Sequence, residues 1–195
     1  MELLEQWLRQ AFCYADLREE DLPNLDLYMD QILTLLDGEL SANKRHPTDK
    51  LVTKTMINNY SKEHLIQPVR GKKYTRLQML QLLCVLNLKQ TLSLTDVKAL
   101  MEKAQDQASV GKAYGHSLEL KDHLRKKLPV LLKEELSALD LSKQEDRLAM
   151  ALALSSASTF LRRLCETMLD NEKDISDTKT GTLAERQAWS DFSNL

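Results

Sequence analysis

Between Lys54 and Lys62, five side chains carry the clearest chemistry of this chain. Lys54, Thr55, Asn58, Asn59 and Lys62 are spaced by one, three, one and three residues, which puts them on one face of a helix. That face holds no acidic and no large apolar residue. Lysine attracts phosphate whatever the base sequence, whereas base edges are read by hydrogen bonds in the groove. Asparagine can pair with the adenine edge through two hydrogen bonds, and threonine can bond a base or touch a thymine methyl. Arg70, Lys72 and Lys73 follow in a short basic turn suited to gripping flanking phosphates. The bland alternative is a solvated helix face beside a basic loop. The order of cap, stripe, basic turn and capped apolar helix favours a nucleic-acid reader.

Other chemistries lack their constellations. There is no G-x-S-x-G elbow and no G-x-x-x-x-G-K phosphate loop, and five scattered glycines do not make a nucleotide cradle. His116, Glu119 and His123 could be offered as metal ligands. Ser117, however, is expected to cap a helix, which leaves His116 outside the i, i+4 geometry such pairs need. His46 and His64 belong with the basic surface and the helix end. No catalytic residue, metal site or cofactor is assigned, and an enzyme is not expected.

Charge is distributed unevenly. Residues 1–43 hold 2 Lys/Arg against 10 Asp/Glu, and residues 44–76 hold 9 against 2, within a chain of net charge −2. The acidic segment either keeps the protein in solution or shields the basic block when nucleic acid is absent. Cys13, Cys84 and Cys165 are widely spaced, so they read as buried structural thiols in a reducing, cytoplasmic setting. The uncharged run from Leu148 to Leu161 is too short and too polar to span a bilayer, so no membrane association is expected.

Composition rich in Leu, Lys, Glu, Gln and Ala predicts a mainly helical, all-α protein with a small two-stranded wing. Leu3, Leu4, Trp7, Leu8, Ala11, Phe12 and Ala15 predict an amphipathic helix over residues 2–15. Pro23 can open the next helix, striped by Leu27, Tyr28, Ile32, Leu35 and Leu36, with Gly38 near its end. Ser41 to Lys50 reads as a loop. Thr53 caps the stripe helix over 53–64, whose apolar side is Val52, Met56, Ile57, Tyr60 and His64. Leu65 to Val69 is extended, and Gly71 permits the turn of a wing over 69–74. Thr75-x-x-Gln78 opens a helix apolar nearly all round, and Ser93-x-x-Asp96 caps a short one. Gly111 and Gly115 suggest a linker over 105–116, after which Ser117 starts a helix that Pro129 kinks or splits. Ser142-x-x-Glu145 is a further capping box, for a helix running to about Asp170 whose small residues invite close approach of another backbone. Residues 171–182 are polar, and Leu183 to Leu195 are expected to add a short helix with Trp189, Phe192 and Leu195 docking back.

Val52 to Met101 resembles the N-terminal domain of mercury-resistance-type (MerR) regulators, which are winged helix-turn-helix proteins. Val52, Thr53, Ile57 and Tyr60 match their recognition helix, and Leu65-Ile66 their leucine pair. Lys72 and Tyr74-Thr75 match the end of their wing, and Leu92-Ser93-Leu94 with Asp96-Val97 their last motif. The run M-I-N-N-Y-S-K with K-K-Y is also similar to an uncharacterised bacterial family of unknown function, expected to share this winged fold. Gly71 stands where the regulators keep an aromatic, and the Gly111/Gly115 linker interrupts the position of their long dimerisation helix.

The resemblance adds Tyr74 to the DNA-binding set of Lys54, Thr55, Asn58, Asn59, Lys62, Arg70, Lys72 and Lys73. It implies a transcriptional regulator binding double-stranded DNA as a homodimer, with helix 53–64 in the major groove and wing 69–74 on phosphate. The alternative is a protein-interaction module whose basic face docks an acidic partner. The expected organisation is an N-terminal helix (1–20), a winged helix-turn-helix (21–104), a helical dimerisation or sensing region (117–171) and a tail (172–195).

Overall fold

In the computed structural model, residues 2–171 are described. They contain seven α-helices: α1 (Glu2–Phe12), α2 (Met29–Glu39), α3 (Lys54–Lys62), α4 (Arg76–Leu88), α5 (Leu94–Glu102), α6 (Gln107–Glu135) and α7 (Gln144–Asp170). One two-stranded antiparallel sheet pairs β1 (Leu27–Tyr28) with β2 (Lys73–Tyr74). No helix among the described residues is long and apolar enough to cross a membrane. The expected terminal helix around Trp189 lies outside the described residues.

The main core is built around α4. Eight of its residues are buried, from Gln78 to Leu86, as expected of a helix apolar nearly all round. Its start follows from Thr75 and Gln78, which reciprocate: the Thr75 N–H donates to Gln78 Oε1 (2.7 Å) and the Gln78 N–H to Thr75 Oγ1 (3.4 Å). Ile32 and Leu36 of α2, Ile57 and Tyr60 of α3, Val97 and Met101 of α5, and Val110, Tyr114 and Leu118 of α6 close over it. Leu17 and Leu22, from the segment before α2, belong to the same cluster. That segment is tied to α6 by Asp16, which accepts from Lys121 Nζ and Arg125 Nη2 at 2.6 Å each, and by Arg18 to Asp122 at 2.8 Å.

Several expectations are corrected. The first helix stops at Phe12, and Leu3 and Trp7 stay exposed while Leu4 and Leu8 pack with Leu132, Leu136, Leu139, Leu141, Met150 and Leu154. Leu27 and Tyr28 precede α2 as a strand, because Leu27 is needed in the core opposite Tyr74. The expected linker over 105–116 is reduced to residues 103–106, between α5 and the next helix. Asp106 caps α6, its Oδ1 accepting the Ser109 N–H at 2.9 Å, and the helix runs on through Gly111, Gly115 and Ser117. At Gly111 the chains approach closely, and an added Cβ would press on the Glu19 carboxylate. Ser117 donates its hydroxyl to the Tyr114 carbonyl (2.7 Å), a mid-helix contact rather than a cap.

Nor does Pro129 split α6. Packing of Leu118 before it, and of Leu132 and Leu136 after it, holds both halves in one 29-residue helix. The Ser142–Glu145 capping box does not form, since α7 starts at Gln144 and leaves Ser142 one residue too early; its hydroxyl donates to Asp140 Oδ1 (2.7 Å). Asp146 instead accepts the Asp140 N–H (2.8 Å), and Arg147 binds the Leu141 and Ser142 carbonyls at 2.8 and 2.9 Å. Of the cysteines only Cys84 is largely sequestered, and burial pushes its thiol up to about 11; Cys13 and Cys165 are exposed.

The chain divides into two units at residues 154 and 155, inside α7. In the second, the described part of α7 buries no residue. Phe160, Leu161, Leu164 and Met168 are exposed, and Arg162 pairs with Glu166 at 2.6 Å. The small residues Ala149, Ala151, Ala153, Ser155, Ala157 and Ser158 are exposed.

Candidate nucleic-acid interface

The stripe helix starts where its cap requires. The Thr53 hydroxyl accepts the Met56 N–H at 3.2 Å and leaves Lys54 as the first helical residue. Ile57 and Tyr60 lock one side of α3 into the core, at 0 % and 7 % exposure, which fixes the rotation of the helix. Thr55, Asn58, Asn59 and Lys62 therefore face outward, and their side chains have no partner among the described residues. Lys54 faces outward too, but its Nζ lies 2.6 Å from Asp30 Oδ1 of α2.

The end of α3 differs from expectation. His64 lies beyond the helix, exposed, at φ +58°. The Leu65 N–H donates to the Tyr60 carbonyl (2.9 Å) and the His64 N–H to the Ser61 carbonyl (3.2 Å). This is a Schellman ending, with histidine in the left-handed position glycine usually fills. It turns Leu65 and Ile66 into the core and leaves the His64 ring in water.

The basic turn is a tight one. Gly71 and Lys72 both have positive φ (+62° and +63°), Arg70 bridges Lys73, and the Lys73 N–H donates to the Arg70 carbonyl at 3.4 Å. Two successive positive φ values are the signature of a type I′ turn. The expected strand over Leu65–Val69 is absent. The buried α4 glutamines hold this stretch: Gln78 Nε2 donates to the Gln67 and Pro68 carbonyls (3.2 and 2.9 Å), and Gln81 Oε1 accepts the Gln67 N–H (2.9 Å). The strand partner of Lys73-Tyr74 is Leu27-Tyr28.

Arg70, Lys72 and Lys73 are exposed on this turn, and Lys73 Nζ stands 5.0 Å from the Tyr28 ring centroid. Tyr74 is not a surface residue. It is 5 % exposed in the main core, and burial raises its hydroxyl above the usual tyrosine range while the neighbouring Ser61 side chain pulls it back. A ring in the core cannot reach a ligand, so Tyr74 leaves the candidate set. Tyr28 and Asp30 enter it. Sequence alone did not bring them forward, because Tyr28 fits a helical stripe and Asp30 reads as one acid among ten.

The acidic segment does not lie over the interface as a whole. Asp16 and Glu19 are engaged with α6 and Arg76, and Glu5 with Lys133 (2.7 Å). Asp30, on Lys54, and Asp37, 2.6 Å from Lys44, also reach the basic block. His116 and His123 sit inside α6, and no group of three or more potential ligands for a metal ion occurs among the described residues.

A family model described as a domain of unknown function (DUF1836) matches residues 17–118, a little over half of the chain. The chain belongs to this family. The DUF1836 match begins at Leu17 and ends at Leu118, which are the first and last residues of the main core. The whole candidate interface falls inside the DUF1836 segment, whereas α1, α7 and most of α6 fall outside it. No curated protein matches the chain, and no solved structure does.

Proposed function

We propose that this chain binds duplex DNA through α3 and the basic turn, as a MerR-like winged helix-turn-helix, and acts in transcriptional regulation. One observation carries the reading: Thr55, Asn58, Asn59 and Lys62 project together, unpartnered among the described residues, from a helix whose opposite side is locked in the core. Such a face has donors and acceptors for base edges and cations for phosphate. The hairpin with Arg70, Lys72 and Lys73 follows it directly, and the capped, buried α4 supports both from behind.

An uninterrupted α6 removes one departure from the regulators, whose long helix follows the same motif. A homodimer would then read an inverted repeat with half-sites about one helical turn apart. If all five cations of the face and turn meet phosphate, the log–log salt slope is roughly −4 to −5 per chain. Fluorescence anisotropy with duplex DNA across a salt series tests this. Absence of binding at low salt removes the proposal, as does affinity unchanged by Lys62→Glu combined with Lys72→Glu.

A second reading is favoured by the Lys54–Asp30 pair, in which this face already accepts a carboxylate. The module would then dock an acidic protein. A pull-down that returns one acidic protein and no nucleic acid would support it.

A further inference from the structure

The candidate interface contains a carboxylate of its own. Asp30 stands in the first turn of α2, and its Oδ1 is 2.6 Å from the Nζ of Lys54, the first residue of α3. Two residues earlier, Tyr28 lies opposite Lys73 in the strand pair, with its ring beneath the Lys73 ammonium. One short segment thus meets a cation from each half of the interface, on opposite terms. Lys73 rests on a neutral ring and keeps its whole charge. Lys54 is matched by an opposite charge. Lys62, Arg70 and Lys72 have no carboxylate partner among the described residues.

We propose that Asp30 is a selectivity residue of the interface, occupying Lys54 and yielding it only to a polyanion whose phosphates line α3. This rests on the DNA-binding reading above. Both side chains are well exposed, 60 % for Lys54 and 76 % for Asp30, so water already screens the pair and it is readily exchanged. While the pair stands, Lys54 adds no net charge to the face, and Asp30 repels any anion approaching the start of α3. A phosphodiester backbone already anchored by Lys62, Arg70, Lys72 and Lys73 brings phosphate to Lys54 at high local concentration and can displace the carboxylate. An isolated anion lacks those anchors. Asp30 therefore weakens binding to everything and weakens it least for a long, regularly charged ligand.

The test uses the full chain and a random-sequence DNA duplex, with anisotropy read across a potassium chloride series. Asp30→Asn is compared with Asp26→Asn, which removes an equal charge from an exposed residue of the same segment that has no ion pair among the described residues. Asp30→Asn is expected to tighten binding several-fold beyond Asp26→Asn at a similar log–log salt slope, because Lys54 meets phosphate in both complexes. Lys54→Ala is expected to weaken the Asp30→Asn protein more than the parent, a coupling that a role in folding alone would not produce. Equal effects of Asp30→Asn and Asp26→Asn, with the parent binding DNA, would overturn this inference and leave the DNA-binding reading standing. A parent that binds no duplex at low salt overturns both.

Discussion

The hydroxyl of Tyr114 donates a 2.8 Å hydrogen bond to the carbonyl of Leu17, both inside the main core. This bond joins the segment ahead of α2 to the first turns of α6, which supply the last core residues. Tyr114→Phe keeps the ring and strands the carbonyl, so it should lower stability by about 1–3 kcal/mol. Denaturant unfolding followed by circular dichroism measures it.

Alkaline pH should unfold the protein through groups that the core keeps neutral. Burial raises the Cys84 thiol from about 9 to about 11, and burial followed by the charge of Asp16 raises Tyr114 further. In both cases the folded state holds its proton more tightly than the unfolded chain. The stability they contribute is complete below the unfolded value and is lost as pH rises through the folded one. For Cys84 the window runs from about pH 9 to about 11, with a loss on the order of 3 kcal/mol. The melting temperature should fall across that window, and Cys84→Ala should flatten the fall. An equally steep fall in Cys84→Ala would show that other groups set the limit.

His64 occupies the left-handed position at the end of α3 with its ring in water. Glycine reaches that conformation without a Cβ penalty. His64→Gly should therefore raise stability by about 0.5–1 kcal/mol, read as a higher denaturation midpoint at an unchanged m value.

Gly111 and Gly115 separate two explanations of the same composition. A Cβ at 115 meets nothing within 4 Å, so Gly115→Ala should stabilise α6 by about 1 kcal/mol. At 111 the added Cβ displaces the Glu19 carboxylate, which sits 3.6 Å from Arg76, so Gly111→Ala should gain less or lose. If both changes were neutral, this stretch would not be helical in solution.

Gln81 is 1 % exposed and spans two chain segments, accepting from the Gln67 N–H and donating to the Ala104 carbonyl at 2.9 Å each. Gln81→Leu leaves both backbone groups without that partner. We expect a loss of about 2–4 kcal/mol, and faster amide exchange at Gln67 measured by hydrogen–deuterium exchange.

By itself the sequence determined whatever depends on residues within one or two turns. Thr53, the Thr75–Gln78 pair and Ser93 cap their helices because an N-cap needs only the N–H groups two and three residues ahead. The two faces of α3 and the burial of α4 follow from helical period alone. The positive φ of Gly71 was legible for the same reason, since the turn is closed by its own four residues. Tertiary structure decided the rest. Whether Leu27 lies in a helix or beside Tyr74 depends on a core contact some way along the chain, as does the withdrawal of Tyr74 from the surface. Gly111 and Pro129 look like breaks, yet their helix is held by Asp16, Leu17 and the α1 leucines, none of which is local. The charge state of the interface belongs to the same class: Lys54 reads as a free cation until α2 folds against α3 and brings Asp30 within 2.6 Å.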